Sequence, residues 1–194
     1  IYLREARKRY KSRIRRYVRA EKRGEAYIIK SVLSWSQLLD VATEIEIIRK
    51  QIGRDWLAVW ALAGNRQLDE VYRRARKEKP LDLVFGDRDI ARDAIDLSAF
   101  EIASTTAKHI QGIVEQGLLA GASVNQIAIG LDNARDFGLY RARMIARTES
   151  TKAINIATRQ AYQTASNEGI HVRQQWLTSR DKKVRHTHRE LEGQ

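Results

Sequence analysis

Residues 139–170 read LYRARMIARTESTKAINIATRQAYQTASNEGI. The stretch holds no proline and a single glycine, so the spacing predicts one long helix from Leu139 to Asn167, closed by Gly169 as a C-cap. Arg143, Arg147 and Glu149 fall within two turns of that helix among Ala, Ile and Met. Arg147 and Glu149 are two residues apart and do not face one another, so each is expected to find its partner elsewhere. Ion pairs that fix packing are the expected role, because a catalytic glutamate would need a pocket and partners that the sequence does not name.

Working outward, the N-terminal side carries a longer helical pattern from about Asp89 to Ala120, through Ile95, Leu97, Ile102, Ile110, Ile113 and Leu118, with Gly121 ending it. Ser123 is placed to cap a short helix, VNQIAIGLDNA at 124–134. On the C-terminal side IHVRQQWLTS (170–179) has the β-branched and aromatic content of a short strand, and the charged RDKKVRHTHRELEGQ (180–194) follows. Pro80 and PLDLVFGDRD form the clearest internal boundary, since proline stops a helix and Gly86 among aspartates suits a turn.

Before that boundary, SWSQLLDVATEIEIIRKQIG (34–53) has a helical stripe of Leu38, Val41, Ala42, Ile45 and Ile48, with a break near Gly53. Arg54 to Lys79 continues with Trp56, Leu57, Trp60, Leu68, Val71 and Tyr72 on one side. The paired tryptophans read as packing between two antiparallel helices. A stacking site for bases would need a groove that the sequence does not announce.

The chain opens with 24 residues that hold eleven Lys or Arg against two Glu, a local charge of +9 in a protein of net charge +12. Leu3, Ala6, Tyr10, Ile14 and Tyr17 make one helical stripe there, with Arg4, Lys8, Lys11, Arg15, Arg16, Arg19 and Lys22 on the other side. Such a helix is expected to dock a protein partner through Leu3, Tyr10, Ile14 and Tyr17 and to meet an anion through the seven cations, which the family resemblance described below makes double-stranded DNA.

With 43% hydrophobic residues in 194, the chain is long enough for one or two packed domains. Pro80 is the only proline, so long helices can run uninterrupted. The absence of cysteine rules out disulfides and thiolate metal sites and fits a reducing compartment. No run of about 18 apolar residues is present, so no membrane partner is expected. A first residue of Ile1 with no signal-peptide pattern behind it reads as a chain that begins inside a longer polypeptide.

The motifs of common enzymes are missing: there is no GxxxxGK[ST], GxSxG, HExxH or GxGxxG. Asp181, His186 and His188, with His171 upstream, carry the chemistry of a metal site. On a helix the two histidines project about 200° apart, and only a strand would bring them to one face, so no metal or other cofactor is expected.

The strings RARMIARTESTKAINIATRQAYQTASNEGI and QQWLTSRDKKVRHTHRELEGQ resemble the phage Mu F-like minor capsid, or head morphogenesis, family. Its pattern of ARTE, a long helix, a Trp, Asp-x-x-x-Arg and a His before Leu-x-Gly matches Ala146, Arg147, Thr148 and Glu149, then Trp176, Asp181, Arg185, His188, Leu191 and Gly193. The match is closest over about 140–194 and looser from about 98. Relatives usually continue past the Leu-x-Gly turn, and some carry Cys where this chain has His186 and His188. The same module also forms the N-terminal part of some phage-borne toxins whose activity lies in a separate domain.

The resemblance implies a few-copy capsid protein working near the portal vertex in head assembly, genome packaging or ejection, touching portal, capsid components and DNA. Its place would be the virion, in the capsid interior or at the portal vertex, after a stage in the host cytoplasm. It implies no enzyme. The expected fold is mainly α: a basic helical arm at 1–24, a helical hairpin at 25–79, and a Mu F-like domain at 80–194 with a small β element. The rival readings are a free-standing nucleic-acid-binding protein and a nuclease or other hydrolase using Asp181, His186 and His188.

Overall fold

The computed structural model describes residues 2–22, 35–81, 83, 85–134, 137–173 and 175–193. Its elements are helices: α1 (Tyr2–Lys22), α2 (Trp35–Leu38), α3 (Val41–Ala75), α4 (Arg88–Leu119), α5 (Val124–Asn133), α6 (Leu139–Asn167) and α7 (His186–Glu190). The caps follow the local sequence. The Asp87 carboxylate accepts the Asp89 amide at 2.8 Å to start α4. Ser123 and Gln126 exchange bonds as a capping box on α5. At the end of α6, Gly169 is left-handed (φ +75°) and the Ile170 amide returns to the Ala165 carbonyl at 3.0 Å.

The long helix α3 is the axis of the molecule, about 52 Å at the usual rise. Its first half joins α1, α4 and α5 in one apolar cluster that contains Tyr10, Ile14, Tyr17, Ile48, Ile102, Ile110, Ile127 and Leu131. Its second half joins the start of α4 and the later turns of α6 in another, around Trp56, Trp60, Leu68, Tyr72, Phe85 and Ile95. Ile52 packs against both. On α6 the contact face is Ala153, Ala157, Ala161 and Ala165, one small residue per turn and none of it exposed, which lets α3 and α6 approach closely.

The turn between α3 and α4 is bound into the second cluster. Trp60 lies 4.8 Å from Phe85, ring to ring, and its Nε1 donates to Gln160 Oε1 at 2.7 Å. The Gln160 amide in turn donates to the Asp87 carbonyl at 3.2 Å. A Cβ on Gly64 would sit 1.8 Å from the Phe85 ring, so that bare helix position is what admits the ring. Gly86 is left-handed (φ +71°), and a Cβ there would meet Trp60 at 2.6 Å.

Several expectations need correcting. The hairpin assigned to 25–79 is, from Val41 to Ala75, one unbroken helix. Gly53 lies inside it, because a single glycine costs only about 1 kcal/mol and the buried positions Ile48, Trp56 and Trp60 continue on either side. Residues 23–34, where the arm was expected to end and the hairpin to begin, lie outside the described residues. The parts expected on either side of Pro80 share a core, since Trp56 and Leu68 pack in one cluster with Ala153 and Ala161.

The small β element at 170–179 is not formed among the described residues. A strand needs a neighbour to take its N–H and C=O groups, and the neighbours here are helices. Ile170 instead buries against the end of α6, and the Trp176 carbonyl accepts the Gly193 amide at 2.8 Å. The stripe given to a protein partner is covered by the chain itself. Leu3, Tyr10, Ile14 and Tyr17 are 8%, 0%, 2% and 1% exposed, with Tyr10 against Phe137 and Tyr17 edge-on to Trp35. Periodicity shows that a face must be buried and not what buries it.

Candidate functional site

Helix α1 carries charge on two sides that do different things. Toward the core, Arg9 grips Glu44 of α3 with two bonds of 2.7 Å, from Nε and Nη2 to the two carboxylate oxygens. Arg13 adds a 3.4 Å contact to Glu44, a 2.7 Å bond to Asp40 and a 2.6 Å bond to the Leu39 carbonyl. Glu44 is wholly buried, and this clamp is what makes its charge tolerable there. Burial, with Glu44 close by, pushes the neighbouring Tyr10 phenol well above its ordinary range.

At the edge of the helix Lys11 pairs with Asp132 of α5, and Arg7 lies 3.9 Å from the same carboxylate. The hydrogen bond from Lys11 holds the Asp132 carboxyl below its usual range, helped by the charges of Lys11, Arg7 and Arg15. On the outer side Arg4, Lys8, Arg15, Arg16 and Arg19 are exposed. Lys8, Lys11, Ser12, Arg15, Arg16 and Arg19 line a shallow open concavity. Lys22 ends α1, and its side chain lies outside the described residues.

Of the α6 motif residues, Arg147 and Thr148 are exposed and Glu149 is buried. Glu149 Oε1 lies 3.2 Å from Lys152 Nζ, and Lys152 also bonds Glu101 of α4 at 2.8 Å. Burial lowers the Lys152 pKa, but the hydrogen bonds to Glu101 and Glu149 outweigh it and the net shift is upward. Glu149 therefore takes part in an ion-pair bridge between α6 and α4, while Arg147 faces solvent.

The remaining motif residues build the C-terminal loop. Glu192 ties it shut: its carboxylate accepts the Thr178 amide at 2.7 Å and Arg180 Nε at 2.8 Å. Those bonds, Thr178 first and Arg180 next, pull the Glu192 carboxyl down to about 2. Gly193, left-handed at φ +85°, closes the loop on Trp176, and Gln175 donates to the Gly193 carbonyl at 3.1 Å. The His188 ring stands edge-on to Trp176 at 5.4 Å. Arg185 is the N-cap residue of α7, and Asp181 caps a turn by accepting the Lys183 amide at 2.8 Å. His186 faces Glu190 at 3.3 Å. Among the described residues Asp181, His186 and His188 do not come together as a ligand set.

The end of α4, with α5, α6 and the closed loop, is the part that a known family describes. Residues 108–194 match the family described as Phage Mu protein F like protein. The C-terminal region is similar to that family. Two curated relatives align with part of this chain. The minor head protein GP7 of Bacillus phage SPP1 is 26% identical over 116 residues, 60% of this chain and 34% of that protein. The NAD(+)–arginine ADP-ribosyltransferase EFV of Enterococcus faecalis is 28% identical over 104 residues, 54% of this chain and 21% of that protein. The matches thus span about a third and a fifth of the relatives' lengths. No solved structure matches. Among the described residues no helix is long and apolar enough to cross a membrane.

The Arg9 and Arg13 clamp and the α3–α6 seam were not foreseen from the sequence. Signals for both were there: Arg9 and Arg13 flank the Tyr10–Ile14–Tyr17 stripe on the helical wheel, and Ala153, Ala157, Ala161 and Ala165 recur every four residues.

Proposed function

We propose that this chain is part of a phage minor head protein that works near the portal vertex, in head assembly, genome packaging or ejection. In this reading the Mu F-like region and α3 form the packed body, and the outer face of α1 lies against double-stranded DNA without reading its sequence. The observation that carries the DNA contact is the sorting of cations on α1. Arg9 and Arg13 are consumed by Glu44 and Asp40, whereas Arg4, Lys8, Arg15, Arg16 and Arg19 stay on one open face. Portal and capsid components are the proposed protein partners and the virion the proposed location.

The test is salt dependence. Five engaged cations give a log–log slope of about −4.5, so binding to any duplex should weaken roughly 500-fold between 50 and 200 mM salt. Replacing Arg15, Arg16 and Arg19 by Gln leaves the core untouched and should reduce the slope by about 2.7. A triple variant with the parent's slope sinks the DNA contact. Co-purification with a portal oligomer tests the rest, and a chain that never enters heads contradicts it.

We also assign the chain a structural role and not a catalytic one. The resemblance to an ADP-ribosyltransferase covers only a fifth of that protein. Incubated with NAD+ and an arginine acceptor, this chain should transfer no ADP-ribose, and turnover above a heat-killed control would overturn the assignment.

A further inference from the structure

A cleft of about 380 Å³ opens between α3, α4 and α6. Its walls are apolar, with Ile48, Ile52 and Val59 from α3, Ile102 from α4 and Ile145 from α6. Two of its lining residues bring buried polar atoms that have no hydrogen-bond partner among the described residues, Trp56 Nε1 and Glu149 Oε2. Trp56 is 4% exposed and Glu149 8%. Glu149 Oε1 is already engaged by Lys152, so the orphaned oxygen is spare acceptor capacity on a carboxylate. Unpaired buried polar groups are few in folded proteins, and two in one cleft is the pattern of a site waiting for a ligand.

The charge of the lining says which ligand. In a protein of net charge +12 the cleft has no lysine or arginine among its lining residues, and its charged members are Asp55 and Glu149. An anion would meet two carboxylates, and a neutral apolar molecule would leave Glu149 Oε2 unsatisfied. We propose that this cleft binds an organic cation: an ammonium or guanidinium head hydrogen-bonds Glu149 Oε2, and an apolar body lies along Ile52, Trp56 and Ile145. A ligand with an acceptor atom beside its head group would also take the Trp56 N–H. Nothing in the proposed role at the portal requires this site, and the inference stands apart from that reading.

The test uses hexylguanidinium as probe, with indole fluorescence and ligand-observed NMR as readouts. Saturable binding is expected, and hexanol and hexyl sulfate of the same chain length should bind at least tenfold more weakly, because hexanol brings no positive charge to Glu149 and hexyl sulfate brings a negative one. Glu149→Gln should weaken hexylguanidinium roughly tenfold or more while leaving hexanol unchanged. Because Glu149→Gln also disturbs the Lys152 bridge, Ala142→Leu provides a second variant, filling the cleft from α6 without touching a charge. It should fold as the parent does and bind neither hexylguanidinium nor hexanol. A short peptide with one arginine between apolar residues, run beside the probe, separates sources. Tighter binding of the peptide assigns the cleft to a partner's side chain, and tighter binding of hexylguanidinium assigns it to a free small molecule. The proposal is overturned if hexylguanidinium does not saturate, if hexanol binds equally well, or if Ala142→Leu binds like the parent.

Discussion

Gly64→Ala is a one-carbon change that tests the second core directly. The new Cβ would lie 1.8, 2.1 and 2.4 Å from three atoms of the Phe85 ring, where carbon atoms prefer about 3.5–4.0 Å. The ring must therefore retreat by about 2 Å and give up part of its contact with Trp60. Full loss of a buried Phe costs about 3–5 kcal/mol, and partial loss is less. Against this, Ala is favoured over Gly inside a helix by about 1 kcal/mol. The net expectation is a loss of about 2–3 kcal/mol, which lowers the urea midpoint by about 1–1.5 M at a slope of about 2 kcal/mol/M. Urea unfolding followed by circular dichroism measures it. The cycle with Phe85→Ala isolates the cause: in that background Gly64→Ala should be neutral or stabilising by up to about 1 kcal/mol, a coupling of at least about 2 kcal/mol. A Gly64→Ala protein as stable as the parent, or effects that simply add, would refute the packing of the α3–α4 turn described above.

Other expectations follow from the same contacts. Arg9→Gln should destabilise by about 2 kcal/mol, below the 3–5 kcal/mol of a fully broken buried pair because Arg13 still reaches Glu44 and Arg9 is partly exposed; thermal unfolding within error of the parent would contradict the clamp. Trp60→Phe removes the donor to Gln160 and should cost about 1–2 kcal/mol while leaving affinity for DNA unchanged, and a variant that loses DNA binding at full stability would give Trp60 a binding role instead. The Glu192 carboxyl, held at about 2, stabilises the closed C-terminal loop in full above its ordinary value of 4.5, and that contribution declines as the pH falls below 4.5 and is gone below about 2. The Trp176 indole resonance should accordingly keep its folded position at pH 4, whereas an opening midpoint near 4.5, or a Glu192→Gln variant with the parent's profile, would show that Glu192 does not hold the loop.

Much of the helical framework was legible because it is written locally. The bounds of α6, the capping of α5 by Ser123 and the turn at Gly86 each depend on a few adjacent residues, and the sequence places them where the structure does. What failed depends on distant partners. Gly53 looked like a break because a glycine is a weak helix former, yet packing along both halves of α3 outweighs about 1 kcal/mol. The strand at 170–179 was inferred from residue type, while strands exist only in pairs. The stripe on α1 was recognised correctly as a face to be buried, and its occupant was mistaken because α3, α4 and α5 meet it from as far as a hundred residues away. Trp56 and Glu149 share a cleft only because α3 and α6 lie side by side, which no spacing within either segment encodes.

The alanine seam of α6 makes the C-terminal region dependent on what lies upstream of it. The family match begins at residue 108, part-way along α4, and so covers the seam but not the helix that fits it here. Excised alone, it would present a groove of small side chains with nothing seated in it. In this chain the long apolar face of α3 is what fills it. The matched segment is thus half of an interlocking joint whose other half, α3, precedes it in the chain.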